Sequence, residues 1–182
     1  MNEIKMNIPF PLDDDKFFRR ACPFCKREFK IQISDEELED LIQKSKESYM
    51  LERREGNSEE KEYIKENDSE KFFCPYCGQE ALSGEWWTIE QAKYIQMYVE
   101  NIMADIINKN FIENIERKFR GNKFVKFEGK KLKIKEPRIS PDNNDMIIIN
   151  LPCCQSKIKI EENWNKIVHC FYCGFPYESK NI

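Results

Sequence analysis

The chain has 182 residues, 33 acidic and 30 basic, with a formal net charge of −3 and a sequence pI of about 5.5. That length suits one composite domain or two small ones, and 35% charged against 40% hydrophobic residues leaves a thin apolar core. No stretch approaches the roughly 20 apolar residues of a membrane helix, and Met1-Asn2-Glu3-Ile4-Lys5 opens no secretion signal, so a reducing, cytoplasmic setting is expected.

Met1 to Arg20 reads as an arm whose Ile8, Phe10, Phe17 and Phe18 flank the acidic turn Asp13-Asp14-Asp15 and pack on the first ribbon. Cys22-Pro23-Phe24-Cys25 spells a zinc knuckle. Glu28 to Ile33 then alternates with period two, as a strand leaving a knuckle should. Ser34 and Glu37 form a capping box, and Leu38, Leu41, Ile42 and Tyr49 recur at helical spacing. From Arg53 to Glu70 that pattern dissolves into a solvated, mobile insertion. Asp35 to Lys71 holds 14 acidic residues against 7 basic, a solvated face rather than a docking surface. Lys71-Phe72-Phe73 re-enters as a strand before the second knuckle, Cys74-Pro75-Tyr76-Cys77-Gly78. Trp86-Trp87 closes the unit, and an extended pair points one ring at the ribbon core and the other at the next element or a partner.

Thr88 and Gln91 make a second capping box, opening a 33-residue apolar-periodic segment stopped by Gly121. Such a helix spans about 50 Å. Lys109 and Glu113 interrupt a strict heptad seam, which favours a long globular or bridging helix, with dimerisation through its apolar residues left open. Lys123 to Phe127 and Lys131 to Lys135 then read as a basic β-hairpin. Lys109 to Arg138 carries 11 Lys or Arg against 4 Glu. Lys123, Lys126, Lys130, Lys131, Lys133 and Lys135 could contact phosphates, although outward lysines also keep a hairpin edge soluble. After a turn-rich 137–145, Met146 to Leu151 reads as a buried strand. With Lys157 to Ile160 and Lys166 to Val168 it makes a three-stranded second ribbon around Pro152-Cys153-Cys154 and Cys170-Phe171-Tyr172-Cys173-Gly174.

Eight cysteines in two sets of four predict two structural zinc ions: Cys22, Cys25, Cys74 and Cys77 hold one, and Cys153, Cys154, Cys170 and Cys173 the other. A peptide between vicinal ligands strains the angle at the metal, so His169, the lone histidine, is the alternative to Cys153 or Cys154. Cys74-Pro75-Tyr76-Cys77 also matches a redox dithiol, but Gly78 to Gly84 is too short for the helix that reading needs. No H-x-E, G-x-S-x-G or phosphate-binding glycine loop occurs, which argues against an enzyme.

The order of CPFC, charged insertion, CPYCG, tryptophan, long helix, basic strands, CC, W and HC-x-x-CG resembles a loosely characterised group of bacterial double zinc-ribbon proteins of transcription-factor type. The resemblance spans nearly the whole chain. It implies zinc at Cys22, Cys25, Cys74 and Cys77 and no known activity. The expected fold is α+β: two small zinc-ribbon units joined by a long amphipathic helix, with a charged helical insertion over about 34–71. The units divide as 1–87, 88–121 and 122–182. The expected function is a non-enzymatic adaptor for a partner protein, with a nucleic-acid-binding accessory factor as the alternative.

Overall fold

The structure, a computed structural model, describes residues 8–43, 70–120, 127 and 129–178. The rest of the expected first helix, with Tyr49, the bulk of the acidic insertion, Gly121, the Lys123 to Lys126 limb of the expected hairpin, Glu128 and both chain ends lie outside these residues. The fold is α+β, with small antiparallel sheets and one long helix. In chain order it has β1 (Phe17–Ala21), β2 (Glu28–Gln32), α1 (35–43), β3 (Lys71–Phe73), β4 (Glu80–Leu82) and a 3-10 turn, Ser83–Glu85. Then come α2 (Ile89–Ile107), a π turn (Asn108–Ile112), α3 (Glu113–Phe119), β5 (Ile147–Leu151), β6 (Ser156–Ile160), β7 (Val168–His169) and β8 (Pro176–Tyr177). Both capping boxes form, with Glu37 accepting from the Ser34 N–H and Gln91 from that of Thr88. Among the described residues no helix is long and apolar enough to cross a membrane.

The two cysteine-rich halves are fused rather than held apart by the helix. One four-stranded sheet runs β1-β2-β6-β5, and β2 pairs antiparallel with β6 through Lys30↔Lys159 and Ile31↔Ile158. β7 does not join a three-stranded ribbon but pairs with β8 alone, and β5 is an edge strand whose Ile147 and Ile148 are exposed. The reason is burial. Each half is too small to cover its own apolar face, whereas together Phe29, Ile31, Trp86, Leu151, Ile158, Ile160, Val168 and Phe171 close one core that includes Cys22, Cys74 and Cys170.

The halves are related by an internal pseudo-two-fold. Adding 129 to both numbers maps four of the five β1–β2 pairs onto β5–β6, so Phe18↔Ile31 becomes Ile147↔Ile160. Adding 96 maps β3–β4 onto β7–β8, so Phe73↔Glu80 becomes His169↔Pro176. The difference of the two offsets, 33 residues, is the extra length the first half carries between its hairpins. Lys30 and Lys159 are equivalents under this relation, and they face each other across the dyad.

The sheet face opposite the core carries charge. Lys30 and Lys159 are fully buried there. One Asp13 oxygen accepts from both ammonium groups, at 3.1 and 2.8 Å. Asp15 takes Lys159 at 2.6 Å, while Asp142 and Asp145 take Lys30 at 3.0 and 3.1 Å and Arg19 at 2.7 and 2.6 Å. The acidic turn of the arm and the 142–145 loop therefore serve as counter-ions for a like-charged cross-strand pair, which would repel without them. Trp86 lies in the core as expected. Trp87 stacks on Phe10 at 5.6 Å and lies under the buried Arg20 guanidinium at 4.6 Å, so the arm packs on it and, through Ile8, on Ile42 and Tyr94.

The second limb of the expected hairpin is not a strand. Residues 129–140 run extended and antiparallel to the long helix, from Gly129 at Glu116 through Lys131 at Glu113 to Ser140 at Glu90. Asn108 clamps Leu132, its side chain donating to the carbonyl at 2.9 Å and accepting from the N–H at 2.8 Å; Asn101 does the same to Lys135 at 2.6 and 2.9 Å. Seven helical residues advance about 10.5 Å and three residues of polyproline-type chain about 9.3 Å, so the two spacings match. The amides that a hairpin would pair are held by asparagine side chains instead.

Candidate metal centres

Three knuckles share one backbone pattern. In each, the N–H four residues after the first cysteine returns to that cysteine's carbonyl: Lys26 to Cys22 at 3.1 Å, Gly78 to Cys74 at 2.9 Å and Gly174 to Cys170 at 2.9 Å. The cysteine N–H in turn donates to the carbonyl five residues on, at Arg27, Gln79 and Phe175. The turn requires positive φ at the fifth position, which is 63° at Lys26, 69° at Gly78 and 73° at Gly174. Glycine at two of the three follows from this, because L side chains are strained there.

These turns bring the Sγ atoms of Cys22, Cys25, Cys74 and Cys77 within 4.8 Å of one another, and do the same for Cys153, Cys154, Cys170 and Cys173. Cross-knuckle sulfurs lie 3.8 Å apart for Cys22 and Cys77, 3.7 Å for Cys25 and Cys74, and 3.5 Å for Cys153 and Cys173. Tetrahedral zinc with sulfur bonds of about 2.3 Å needs sulfurs about 3.8 Å apart. None of the eight is in a disulfide. Each group can hold a metal ion with four thiolates. Backbone N–H groups already point at the sulfurs, from Phe24 and Cys25 to Cys22 and from Tyr76 to Cys74, all at 3.4 Å. Burial opposes ionisation of Cys22, but those two N–H groups override it and hold its thiol below the ordinary value. Burial pushes the Cys74 thiol far up. A fully buried first cysteine is the opposite of the accessible attacking thiol that a redox dithiol needs.

The vicinal pair has a register explanation. Under the 129-residue offset Cys154 is the equivalent of Cys25, and Gln155, with φ 50°, is the equivalent of Lys26. The equivalent of Cys22 is Leu151, buried in the core. The missing ligand comes from the station of the exposed Phe24, which in this half is Cys153. A cysteine moved two residues along the turn still joins the sulfur group, at the cost of exposing Cys153 where Cys22 is buried.

His169 is not part of either sulfur group. It is the equivalent of Phe73, and the two make reciprocal contacts across the dyad. The Phe73 N–H donates to the Phe171 carbonyl at 2.8 Å, and the His169 N–H to the Pro75 carbonyl at 2.9 Å. A Cβ on Gly174 would meet the Phe73 ring at 2.8 Å, and one on Gly78 the His169 ring at 2.9 Å. Each knuckle glycine is thus a seat for a ring from the other half. Tyr76 and Tyr172 cross in the same way, Tyr76 accepting from the Glu161 N–H at 3.0 Å and Tyr172 donating to the Gln32 carbonyl at 3.4 Å.

Of the lysines read as phosphate contacts, Lys130, Lys131, Lys133 and Lys135 are exposed on the extended 129–140 segment, a strap along the helix, with Lys131 paired to Glu113 at 2.7 Å. Lys123 and Lys126 lie outside the described residues. Sequence reasoning missed Asp13, Lys30, Lys159, Asn101 and Asn108. The shared spacing of Cys25 to Lys30-Ile31 and Cys154 to Lys159-Ile160 is the signal that finds the lysine pair. No family description, characterised protein or solved structure matches this chain in sequence or fold comparison.

Proposed function

We propose that this chain is a non-enzymatic docking protein in which two structural zinc ions hold a fused double ribbon, and the helix and strap present a surface to an acidic partner protein. The carrying observation is the pair of closed four-sulfur groups flanking one shared core. An all-thiolate tetrahedron leaves no open position for water or substrate, so its contribution is to folding. Beside it, the strap exposes Leu132 and Ile134 between Lys131, Lys133 and Lys135, an alternation of apolar and cationic groups suited to an acidic, partly apolar surface.

The second reading, nucleic-acid binding through the same strap, is supported by exposed Lys130, Lys133 and Lys135 beside exposed Phe127. One experiment separates the two. Metal-loaded wild type and Lys133→Glu/Lys135→Glu protein are used to capture material from the native host. A protein retained by the first and released by the second supports docking. Recovered nucleic acid, with a salt slope lowered by about two phosphates in the variant, supports the second reading. Capture of neither rejects both, and fewer than two zinc ions per chain rejects the structural role of the second sulfur group.

A further inference from the structure

One charged side chain inside the fold has no counter-ion. Arg20 is 1% exposed and shares the inward face of β1 and β2 with Phe18, Phe29 and Ile31. Its guanidinium lies over the Trp87 ring at 4.6 Å and near that of Phe18 at 5.6 Å, and Nη2 donates to the Ser83 carbonyl at 2.9 Å. Nε and Nη1 have no hydrogen-bond partner, and among the described residues no carboxylate pairs with the side chain. Lys30 and Lys159 differ in this respect, since both of those buried cations meet Asp13. Burying an unpaired cation is costly, and an apolar side chain of the same volume would fill this space without that cost. Such a group is explained by what it can hold.

Arg20 also lines a cavity of about 100 Å³ bounded by β2, α1 and β3. Ile31, Phe72 and Phe171 give it apolar walls, and the exposed Glu37, Asp40 and Glu70 stand at its mouth. It therefore runs from an unpaired cation at the buried end to carboxylates at the open end. We propose that this cavity binds a small amino acid, its carboxylate on the Arg20 guanidinium and its ammonium toward Glu37 and Glu70. Charge selects the class. A simple carboxylate would satisfy Arg20 but meet like charges at the mouth, a simple amine would leave Arg20 unpaired, and one zwitterion neutralises both ends. Size sets the limit. A cavity of about 150 Å³ holds the six carbons of benzene, so about 100 Å³ takes about four heavy atoms. That suits glycine, alanine or β-alanine with the ammonium end standing in the open mouth. Ser83 and Trp87 already fix the guanidinium, so little ordering is left to binding. The site goes beyond the docking reading and does not depend on it.

The test is a nitrogen-15 NMR titration of the zinc-loaded full chain with glycine, alanine and β-alanine, following the Arg20 Nε–H resonance. At least one of the three is expected to shift it to saturation with a Kd of about 5 mM or tighter, and the Ile31 and Phe72 amides should move with it. Propionate and ethylamine, which each lack one of the charges, should bind at least about tenfold more weakly. Glu37→Gln/Glu70→Gln changes exposed positions and keeps a capping residue after Ser34. It should weaken the amino acid at least about fivefold and leave propionate no weaker. Arg20→Met should abolish both. An Arg20 resonance unmoved by all three amino acids at about 50 mM overturns the proposal and leaves water as the occupant. Propionate binding as tightly as the amino acids, or an unchanged affinity in the glutamine variant, overturns the amino-acid class. Wild type and the glutamine variant decide the matter even if Arg20→Met does not fold. Zinc content is read on the same samples, so failure of the metal reading and failure of this site are distinguished.

Discussion

Lys26, Gly78, Gln155 and Gly174 occupy one backbone station, and what each half places against it decides how substitutions there behave. At Gly174 alanine would combine positive φ with a ring at 2.8 Å, a loss of about 2 to 4 kcal/mol in urea titration. The register account of the vicinal cysteines makes a sharper prediction. Cys153→Ser should release one of two zinc ions on mass spectrometry, and adding Leu151→Cys, which restores the Cys22 equivalent, should bring it back. On the charged face Asp13 is the residue to remove. Asp13→Asn leaves two fully buried lysines facing each other, and chemical denaturation should show a loss of about 3 to 5 kcal/mol. Burial works to raise the Asp13 carboxyl, but Lys159, the Phe17 N–H and Lys30 override it and hold it below its ordinary value. Lys159 likewise holds Asp15 down, and Arg19 and Lys30 hold down Asp145 against burial. Lowered carboxylates stabilise the fold above their unfolded value of about 3.9, and this contribution fades as pH falls through that value to the lower folded ones. The gap between wild type and Asp13→Asn should therefore shrink below about pH 4, followed by denaturation midpoints against pH. The cysteine spacing made the two four-sulfur groups legible, because a metal site would constrain residue type directly. Lys30 and Lys159 were illegible as buried groups because their counter-ions come from 15 or more residues away.

The long helix and its strap illustrate what local pattern reaches and where it stops. Capping boxes at Ser34 and Thr88 are decided within four residues, so the helix starts were readable. The Lys131 to Lys135 alternation fits a strand equally well, but its amides are taken by Asn101 and Asn108, and no local signal distinguishes a pairing strand from a helix side chain as partner. Asn108→Ala removes two hydrogen bonds from Leu132, and Asn101→Ala two from Lys135. Each should cost about 1 to 3 kcal/mol locally. Hydrogen exchange at the Leu132 and Lys135 amides is expected to accelerate by at least about fivefold, while the β2 and β6 amides keep their protection.

At the level of the molecule, the two metal centres share a core, so each should sense the other. Cys74→Ser should lower zinc retention at the second site as well as abolish the first, read as more than one ion lost per chain under mild chelation. Thermal unfolding should be a single transition rather than two. The two four-cysteine groups were legible in the sequence, but the fusion of the two halves was not: β2 and β6 are far apart in the chain, and either could have ended a separate sheet. Fusion through one strand pair has a consequence for a nicked chain. Cut after the exposed Arg138, the protein falls into two fragments that each keep four cysteines but expose a naked strand edge, β2 in one and β6 in the other. Alone, each fragment should self-associate through that edge. Mixed in equal amounts with zinc they should reassemble by complementation, each fragment acting as the template on which the other finishes folding.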